Sequence, residues 1–173
     1  MTIAEFADLV VTFVETNRAW AAPIVFVLAF GESLAFLSLL FPATVMLVGI
    51  GALIGATDLN FWPIWAAAAL GAIFGDWISY WVGWHYGDRL AHVWPFTKQP
   101  ELLPRGKRFF ERFGTLSVFF GRFFGPLRAA VPIVAGTCRM KFWPFQAANI
   151  ASAFIWATGL LAPGAFGIKF LFD

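Results

Sequence analysis

GTLSVFFGRFFGPLRAAVPIVAGT, residues 114–137, is the segment that constrains the architecture of the chain most strongly. It is apolar enough to lie at membrane depth, yet it contains Arg122, Pro126, Arg128 and Pro132. Proline interrupts helical hydrogen bonding and an intramembrane arginine is energetically costly, so a regular lipid-facing span is disfavoured. The pattern predicts a re-entrant hairpin, in which two half-helices enter and leave on the same side and their broken backbone is enclosed by protein.

A second apolar stretch, residues 20–55, precedes it and has the same character. Glu32 is its single charge, and Pro42 divides it near the middle. A spanning helix needs only about 20 residues, so this stretch is either one long tilted span or another hairpin with Pro42 at its tip. We favour the hairpin, because residues 34–41 are too apolar to form a water-exposed loop.

The other segments alternate between amphipathic and apolar patterns. Residues 3–17 have helical apolar spacing with charges on the remaining faces, which predicts a helix lying at the membrane interface. Residues 61–86 and 142–162 predict two full spans, the second of which ends before Pro163. Residues 87–113 form the one substantial polar loop, and its latter part predicts a second interfacial helix.

An internal repeat supports this division. Residues 55–63, GATDLNFWP, match residues 136–144, GTCRMKFWP, at Gly, Phe, Trp and Pro. Each repeat unit, about 1–87 and about 99–167, contains an interfacial helix, a hairpin and one span. A unit with one net crossing inverts the unit that follows it. The predicted fold is therefore an all-α integral membrane protein, one membrane domain over residues 1–173, built as an inverted repeat.

Composition and charge agree with a membrane location. The chain is 60% hydrophobic and 13% charged, whereas soluble domains carry roughly 25% charged residues. A net charge of +2 with dispersed basic residues argues against nucleic-acid binding. With one cysteine and two histidines, the sequence predicts neither a metal site nor a cofactor.

Basic residues concentrate on one predicted face. Together with Arg139 and Lys141 of the second junction, the basic loop over residues 87–113 is expected on the cytoplasmic side. The basic residues of that loop are Arg89, Lys98, Arg105, Lys107, Arg108 and Arg112.

Four charges fall inside apolar segments and are therefore candidate functional residues: Glu32, Asp76, Arg122 and Arg128. If the hairpins meet near the midplane, Glu32 faces Arg122 or Arg128 across a small polar cavity. Arginine suits a phosphate because its planar guanidinium donates paired, charge-assisted hydrogen bonds. Glu32 is the predicted proton carrier, because its protonation would respond to occupancy of the arginine by substrate.

Structural explanations for the same charges stay open. Glu32 and one arginine could form an ion pair that only holds the hairpins together. Asp76 could be structural, because Gly71, Gly75 and Ser79 line one side of its helix and indicate close packing with the carboxylate bonded nearby.

Residues 119–136, FFGRFFGPLRAAVPIVAG, closely resemble the signature of the DedA family, also called the SNARE-associated or VTT-domain proteins. The resemblance covers roughly residues 25–167. Further agreeing positions are Gly31, Glu32, Ser33, Pro42, Gly71, Gly75, Asp76, Tyr80, Gly83, Asn149 and Trp156.

The resemblance implies a multi-pass protein of the bacterial inner membrane that moves phospholipid-like substrates between leaflets, undecaprenyl phosphate among them, in a manner linked to the proton gradient. It assigns Glu32, Arg122 and Arg128 to the essential hairpin residues. Many members have an acidic residue where this chain has Thr44, so proton coupling or its stoichiometry is open. Many also have a further C-terminal span, without which both ends would lie outside the cytoplasm. The supporting residues are Pro42, Thr44, Asp76, Pro126 and Asn149.

Three functions compete at this point. The first is a non-enzymatic transporter, or flippase, whose partners are a lipid phosphate, membrane lipids and protons, with homo-oligomerisation left open. The second is a non-transporting membrane scaffold in which the charges are structural. The third is a lipid-phosphate phosphatase, which needs a nucleophile and an acid or base, for which the chain offers only His85 and His92.

Overall fold

The computed structural model describes residues 3–34, 43–57, 59–87, 89 and 101–172 of the chain. This part of the chain is helical and contains no strand. A 3₁₀ turn at Arg18–Trp20 joins the first two helices. The helices are α1 (Ile3–Thr16), α2 (Ala21–Ser33), α3 (Ala43–Ala56), α4 (Phe61–Tyr86), α5 (Leu102–Phe113), α6 (Thr115–Gly121), α7 (Gly125–Thr137) and α8 (Phe142–Phe172).

Two of these helices are long and apolar enough to cross a membrane. They are α4 and the Phe142–Gly167 part of α8, each 26 residues long. The predicted bounds of the first span are confirmed at both ends. Asn60 caps the start of α4, where its side-chain oxygen accepts a hydrogen bond from the Trp62 amide at 3.1 Å. Gly87 ends α4 with φ 45°, a left-handed conformation that glycine adopts without strain.

The predicted end of the second span is wrong, because α8 continues through Pro163 to Phe172. Leu161 and Ala165 are both buried, so the packed face of the helix runs on past the proline. Gly164 lies against the backbone of α3, where a Cβ atom would come within 2.5 Å of the Ala52 amide nitrogen. These contacts hold the helix across the position where proline removes one hydrogen bond.

Both predicted interfacial helices exist as helices. The first is α1, and the second is α5, which occupies the latter part of the basic loop. On α5, Phe110 is buried while Arg108 and Arg112 are exposed, so one face is apolar and the other basic. Their position at a membrane interface stays a prediction.

Each predicted hairpin corresponds to a pair of short helices, α2 with α3 and α6 with α7. Pro42, the predicted tip of the first hairpin, lies outside the described residues. In the second, the helix breaks between Gly121 and Gly125, and Pro126 falls in the first turn of α7, where a missing N–H costs nothing. Whether the two pairs re-enter the membrane stays a prediction.

The long helices each pack against short helices from both halves of the chain. α4 contacts α2 and α7, whereas α8 contacts α6 and α3, and the two long helices also touch each other. At the α4–α7 contact, a Cβ atom on Gly83 would lie 2.1 Å from the Ile133 carbonyl oxygen. Gly83 and Gly164 are 164 − 83 = 81 residues apart, and their partners Ala52 and Ile133 are separated by the same 133 − 52 = 81.

The predicted close approach along one side of α4 is confirmed. A Cβ atom on Gly71 would lie 2.3 Å from the Phe26 carbonyl oxygen, and one on Gly75 would lie 2.7 Å from the Ser33 Cβ. α2 therefore lies backbone to backbone against α4, and this contact brings Glu32 at the end of α2 close to the middle of α4.

Candidate functional site

The four candidate charges form two ion pairs. Arg122 pairs with Asp76, and Arg128 pairs with Glu32 through an Nη1–Oε1 distance of 2.8 Å. All four side chains are largely buried, and buried charges persist only when they are paired and hydrogen-bonded. Of the two partners left open for Glu32 by the sequence, the structure selects Arg128.

Arg122 is fixed by groups from both long helices. Its Nη2 donates to Asp76 of α4 and to the Asn149 Oδ1 of α8 at 2.6 Å, and its Nε donates to the Ser152 Oγ at 3.0 Å. Asn149 is itself oriented, because its Nδ2 donates to the Ile73 carbonyl oxygen at 3.1 Å. The guanidinium of Arg122 therefore ties the break between α6 and α7 to α4 and α8.

Arg128 is held by fewer polar groups. Apart from Glu32, its guanidinium has, among the residues that the structure describes, one long contact of 3.4 Å to the Ser33 Oγ. Its Cζ lies 4.4 Å from the ring centroid of Trp156, a cation–π contact with α8. The Thr44 hydroxyl donates to the same Glu32 oxygen that accepts from Arg128. Thr44 thus joins the end of α2 and the start of α3 at this pair.

The two pairs belong to one electrostatic cluster. Ser33, whose Oγ contacts Arg128, packs against Gly75, and Gly75 is the chain neighbour of Asp76. The helices that carry the two acidic residues also meet at Ser79 of α4, whose Oγ donates to the Gly75 carbonyl oxygen at 2.9 Å and lies 3.3 Å from the Ser33 carbonyl oxygen of α2. Two cations and two anions make the cluster neutral overall.

Three buried polar atoms of this charge cluster have no hydrogen-bond partner among the described residues. They are the Glu32 Oε2, the Arg122 Nη1 and the Arg128 Nε. Protein interiors satisfy the great majority of such atoms, so each exception needs an explanation such as a bound water or ligand. A cluster with spare donors on both arginines and a spare acceptor on the glutamate is equipped to take a further polar group.

The structure brings most of the predicted site residues together. Glu32, Asp76, Arg122, Arg128, Thr44 and Asn149 all take part in the charge cluster. The packing prediction for Asp76 is confirmed, since its carboxylate is bonded by the nearby Arg122. Pro126 lies two residues before Arg128 in the first turn of α7, and Pro42 lies outside the described residues.

Sequence reasoning missed Ser152 as a ligand of Arg122 and gave Trp156 no role. Asn149, Ser152 and Trp156 are spaced by three and four residues, which places them on one face of α8. A search for polar and aromatic residues at this spacing in the last span would have found the face that receives the arginines.

The fold and this cluster define an all-helical membrane protein with a buried charge network between its two longest helices. The VTT domain matches residues 41–166. The chain belongs to the DedA family of VTT-domain membrane proteins.

Several relatives are similar over most of the chain. The inner membrane protein YabI of Escherichia coli is 37% identical over 153 residues, which are 88% of this chain and 60% of that protein. An uncharacterised membrane protein of Buchnera aphidicola is 30% identical with the same coverage, and one of Mycobacterium tuberculosis is 34% identical over 70% of this chain and 58% of its own length. The chain therefore spans about three fifths of the curated relatives it matches. No solved structure matches it.

Proposed function

We propose that this chain transports undecaprenyl phosphate, or a related anionic phospholipid, across the bacterial inner membrane. The observation that carries the proposal is the buried Arg128–Glu32 pair beside Arg122, in which each of the three side chains has a polar atom without a partner among the described residues. A lipid phosphate offers the oxygen acceptors that both arginines can use. The lipid tails would remain in the bilayer while the phosphate occupies the charge cluster.

We further infer that the two short-helix pairs are re-entrant hairpins arranged as an inverted repeat. In support, each long helix packs against one short helix of its own half and one of the other half. The glycine contacts that seat Gly83 on α7 and Gly164 on α3 recur with the 81-residue offset found in the sequence. Such repeats place a substrate site where the broken helices meet, and the charge cluster occupies that position here.

The proposed exchange takes place at Arg128. A phosphate oxygen replaces the Glu32 Oε1 on the guanidinium, and the Arg122 Nη1 supplies a second donor. Trp156 keeps the Arg128 guanidinium in place during the exchange, because the ring contact does not depend on Glu32. Arg122 stays bound to Asp76, Asn149 and Ser152 throughout.

Glu32 is the group that would move the proton. Once the phosphate displaces it from Arg128, its carboxylate is buried without a cation and gains from protonation. The Thr44 hydroxyl can donate to the ionised carboxylate or accept from the protonated acid, so it serves both states. With one carboxyl at the exchanging pair, we propose one proton for each lipid carried.

The test is reconstitution of the purified chain in liposomes with labelled undecaprenyl phosphate and a competing phospholipid, with and without a pH gradient. A protein-dependent change in leaflet distribution supports transport, and its loss in Glu32→Gln under a gradient supports proton coupling. The absence of any protein-dependent change for every anionic lipid tried would remove the proposal.

The second candidate is a non-transporting scaffold, favoured by the number of hydrogen bonds that already hold Arg122. In that case Arg122→Lys should leave the cellular role intact as long as the protein inserts and folds. A transporter with a phosphate at the cluster should lose transport in the same variant. We place the phosphatase third, because the His85 Nδ1 contacts the carbonyl oxygen of Trp81 at 3.0 Å near the end of α4. His92, the other histidine, lies outside the described residues.

A further inference from the structure

We propose that a basic cleft between α5, α7 and the start of α8 binds the phosphate of an anionic lipid headgroup. The cleft has a volume of about 600 Å³, within the range of small-ligand sites. Lys107 of α5 and Arg139 and Lys141 of the α7–α8 junction line it, opposed by Glu111. Three cations and one anion meet there from separate parts of the chain. This binding site stands apart from the charge cluster and does not depend on the proposed transport.

The backbone at Arg139 departs from the usual way of ending a helix. α7 ends in a Schellman arrangement, in which the Met140 amide donates to the Ala135 carbonyl oxygen at 3.1 Å. Arg139 occupies its left-handed position with φ 53°, whereas the residues with positive φ that follow α4 and α5 are glycines, Gly87 and Gly114. A side chain retained where glycine is favoured indicates that the side chain has a use.

Lys141, in the junction before α8, differs in kind from the residue at the equivalent position of the junction before α4. It precedes α8 as Asn60 precedes α4, at the repeat offset of 141 − 60 = 81 residues. Asn60 accepts a hydrogen bond from the Trp62 amide and so satisfies the first turn of its helix. A lysine has no acceptor and adds positive charge to a helix start that is already positive. The start of α8 therefore favours an anion from outside the chain.

The surroundings of the cations suit a lipid better than a fully hydrated anion. The Arg139 guanidinium lies over the Trp84 ring at 5.0 Å, which fixes its position while its in-plane N–H groups can still donate. Phe110, Met140 and Pro144 supply an apolar wall beside the charges. Basic pockets with apolar walls at a membrane surface are typical headgroup sites.

A simpler explanation accounts for only part of this arrangement. The carbonyl groups at the end of α7 attract Arg139, and basic residues collect on cytoplasmic faces. Neither effect requires Lys107 and Lys141 to line the same cleft, and neither favours an arginine with positive φ.

The experiment titrates the detergent-solubilised full chain with three probes and measures the midpoint of thermal unfolding. The probes are dioctanoyl phosphatidic acid, dioctanoyl phosphatidylcholine and inorganic phosphate. Every protein in this titration carries Arg128→Lys, which weakens binding at the charge cluster. The shift in the unfolding midpoint then reports binding at the basic cleft. Arg139→Gly combined with Lys141→Ala is the test variant, and Arg108→Ala combined with Arg112→Ala, both exposed on α5 outside the cleft, is the control.

We expect phosphatidic acid to stabilise the parent and control proteins, and to need at least tenfold higher concentration in the test variant. Arg139→Gly alone keeps the backbone conformation, so it should fold as well as the parent and still bind more weakly. Equal stabilisation by inorganic phosphate through the same residues would identify free phosphate as the ligand and support the same phosphate chemistry. Unchanged affinity in the test variant, or equal stabilisation by phosphatidylcholine, would overturn the proposal. Because the readout is binding, a failure of transport leaves this result unaffected.

Discussion

The two ion pairs use the same residue types but hold their arginines differently. Arg122 is bonded to Asp76, Asn149 and Ser152, and its side chain is 3% exposed. Within the described part of the chain, Arg128 has Glu32 as its one close polar partner; it rests on the Trp156 ring and is 13% exposed. A buried arginine whose donors are mostly bonded within the protein stabilises the fold, whereas one with few protein partners keeps donors for a ligand.

Hydrogen bonds to charged groups each contribute roughly 1.5–3 kcal/mol, so the number of partners decides which arginine can exchange. Releasing Arg122 would break three such bonds and leave Asp76 unpaired. Releasing Arg128 breaks one close bond, and the ring contact remains. We therefore expect the Arg122 pair to dominate stability and the Arg128 pair to undergo the exchange during transport, in which Arg122 contributes one further donor from its Nη1.

The largest expected effect is on stability. Arg122→Ala leaves the Asp76 carboxylate buried without a cation, and breaking a buried pair in this way costs roughly 3–5 kcal/mol. Arg128→Ala should lower the free energy of unfolding clearly less, because the Arg128 side chain is more exposed and makes fewer hydrogen bonds. Denaturant unfolding in a mild detergent measures both. The double variant Arg122→Leu with Asp76→Leu should recover part of the loss, and equal losses for the two single arginine variants would contradict the division of roles.

Arg128→Lys should act mainly on transport. Lysine keeps the charge beside Glu32 but loses the paired donor geometry toward a phosphate, a loss of roughly 1.5–3 kcal/mol. We expect leaflet exchange of the lipid phosphate to slow by roughly ten- to a hundredfold while the unfolding midpoint stays close to the parent. Arg112→Lys, exposed on α5, is the matched control and should not change the rate.

Gly75→Ala tests whether the two pairs depend on the α2–α4 contact. The added methyl group would lie 2.6 Å from the Phe30 carbonyl oxygen and 2.7 Å from the Ser33 Cβ, so α2 must shift. Overpacking of this kind costs roughly 1–3 kcal/mol. Gly159→Ala is the control, because nothing lies within 4 Å of its added methyl group, and it should be neutral or slightly stabilising. If Gly75→Ala left the free energy of unfolding unchanged, the α2–α4 contact would not be what positions Glu32.

Trp156→Leu should slow lipid exchange only modestly, the smallest of the effects expected here. It removes the ring face under Arg128, worth roughly 1 kcal/mol, which corresponds to about a fivefold slower exchange. Trp156→Phe keeps an aromatic face and should lose less than Trp156→Leu. Trp143→Leu, 79% exposed on the same helix, should not alter exchange. Equal rates for the leucine and phenylalanine variants at position 156 would exclude the cation–π role.

The sequence predicted the parts of the fold that depend on local patterns. The bounds of α4 followed from an apolar run that ends where the polar loop of residues 87–113 begins, and both ends are confirmed. The predicted end of α8 was wrong. Proline ends a helix reliably only where no neighbouring helix holds its backbone, and here α3 holds the backbone of α8 at Gly164. Apolar periodicity does not report such a tertiary contact.

The candidate site was predicted as a set of residues but not as a set of pairs. Intramembrane charge alone identified Glu32, Asp76, Arg122 and Arg128. The choice of partner depended on how α2 and the α6–α7 break pack on α4. Arg122 lies in that break and Arg128 lies beyond it on α7, so helical spacing alone does not relate the two side chains. Ser152 was missed because a single serine in an apolar helix carries no distinct signal until its helix face is known.

The most direct test compares undecaprenyl phosphate with undecaprenol, which has the same chain and no phosphate, in liposomes that contain the purified protein. We predict protein-dependent movement of the phosphate between leaflets, abolished or strongly slowed by Arg128→Lys, and no protein-dependent movement of the alcohol. Equal movement of both lipids, or of neither by a folded protein, would contradict the claim that Arg128 exchanges Glu32 for a lipid phosphate.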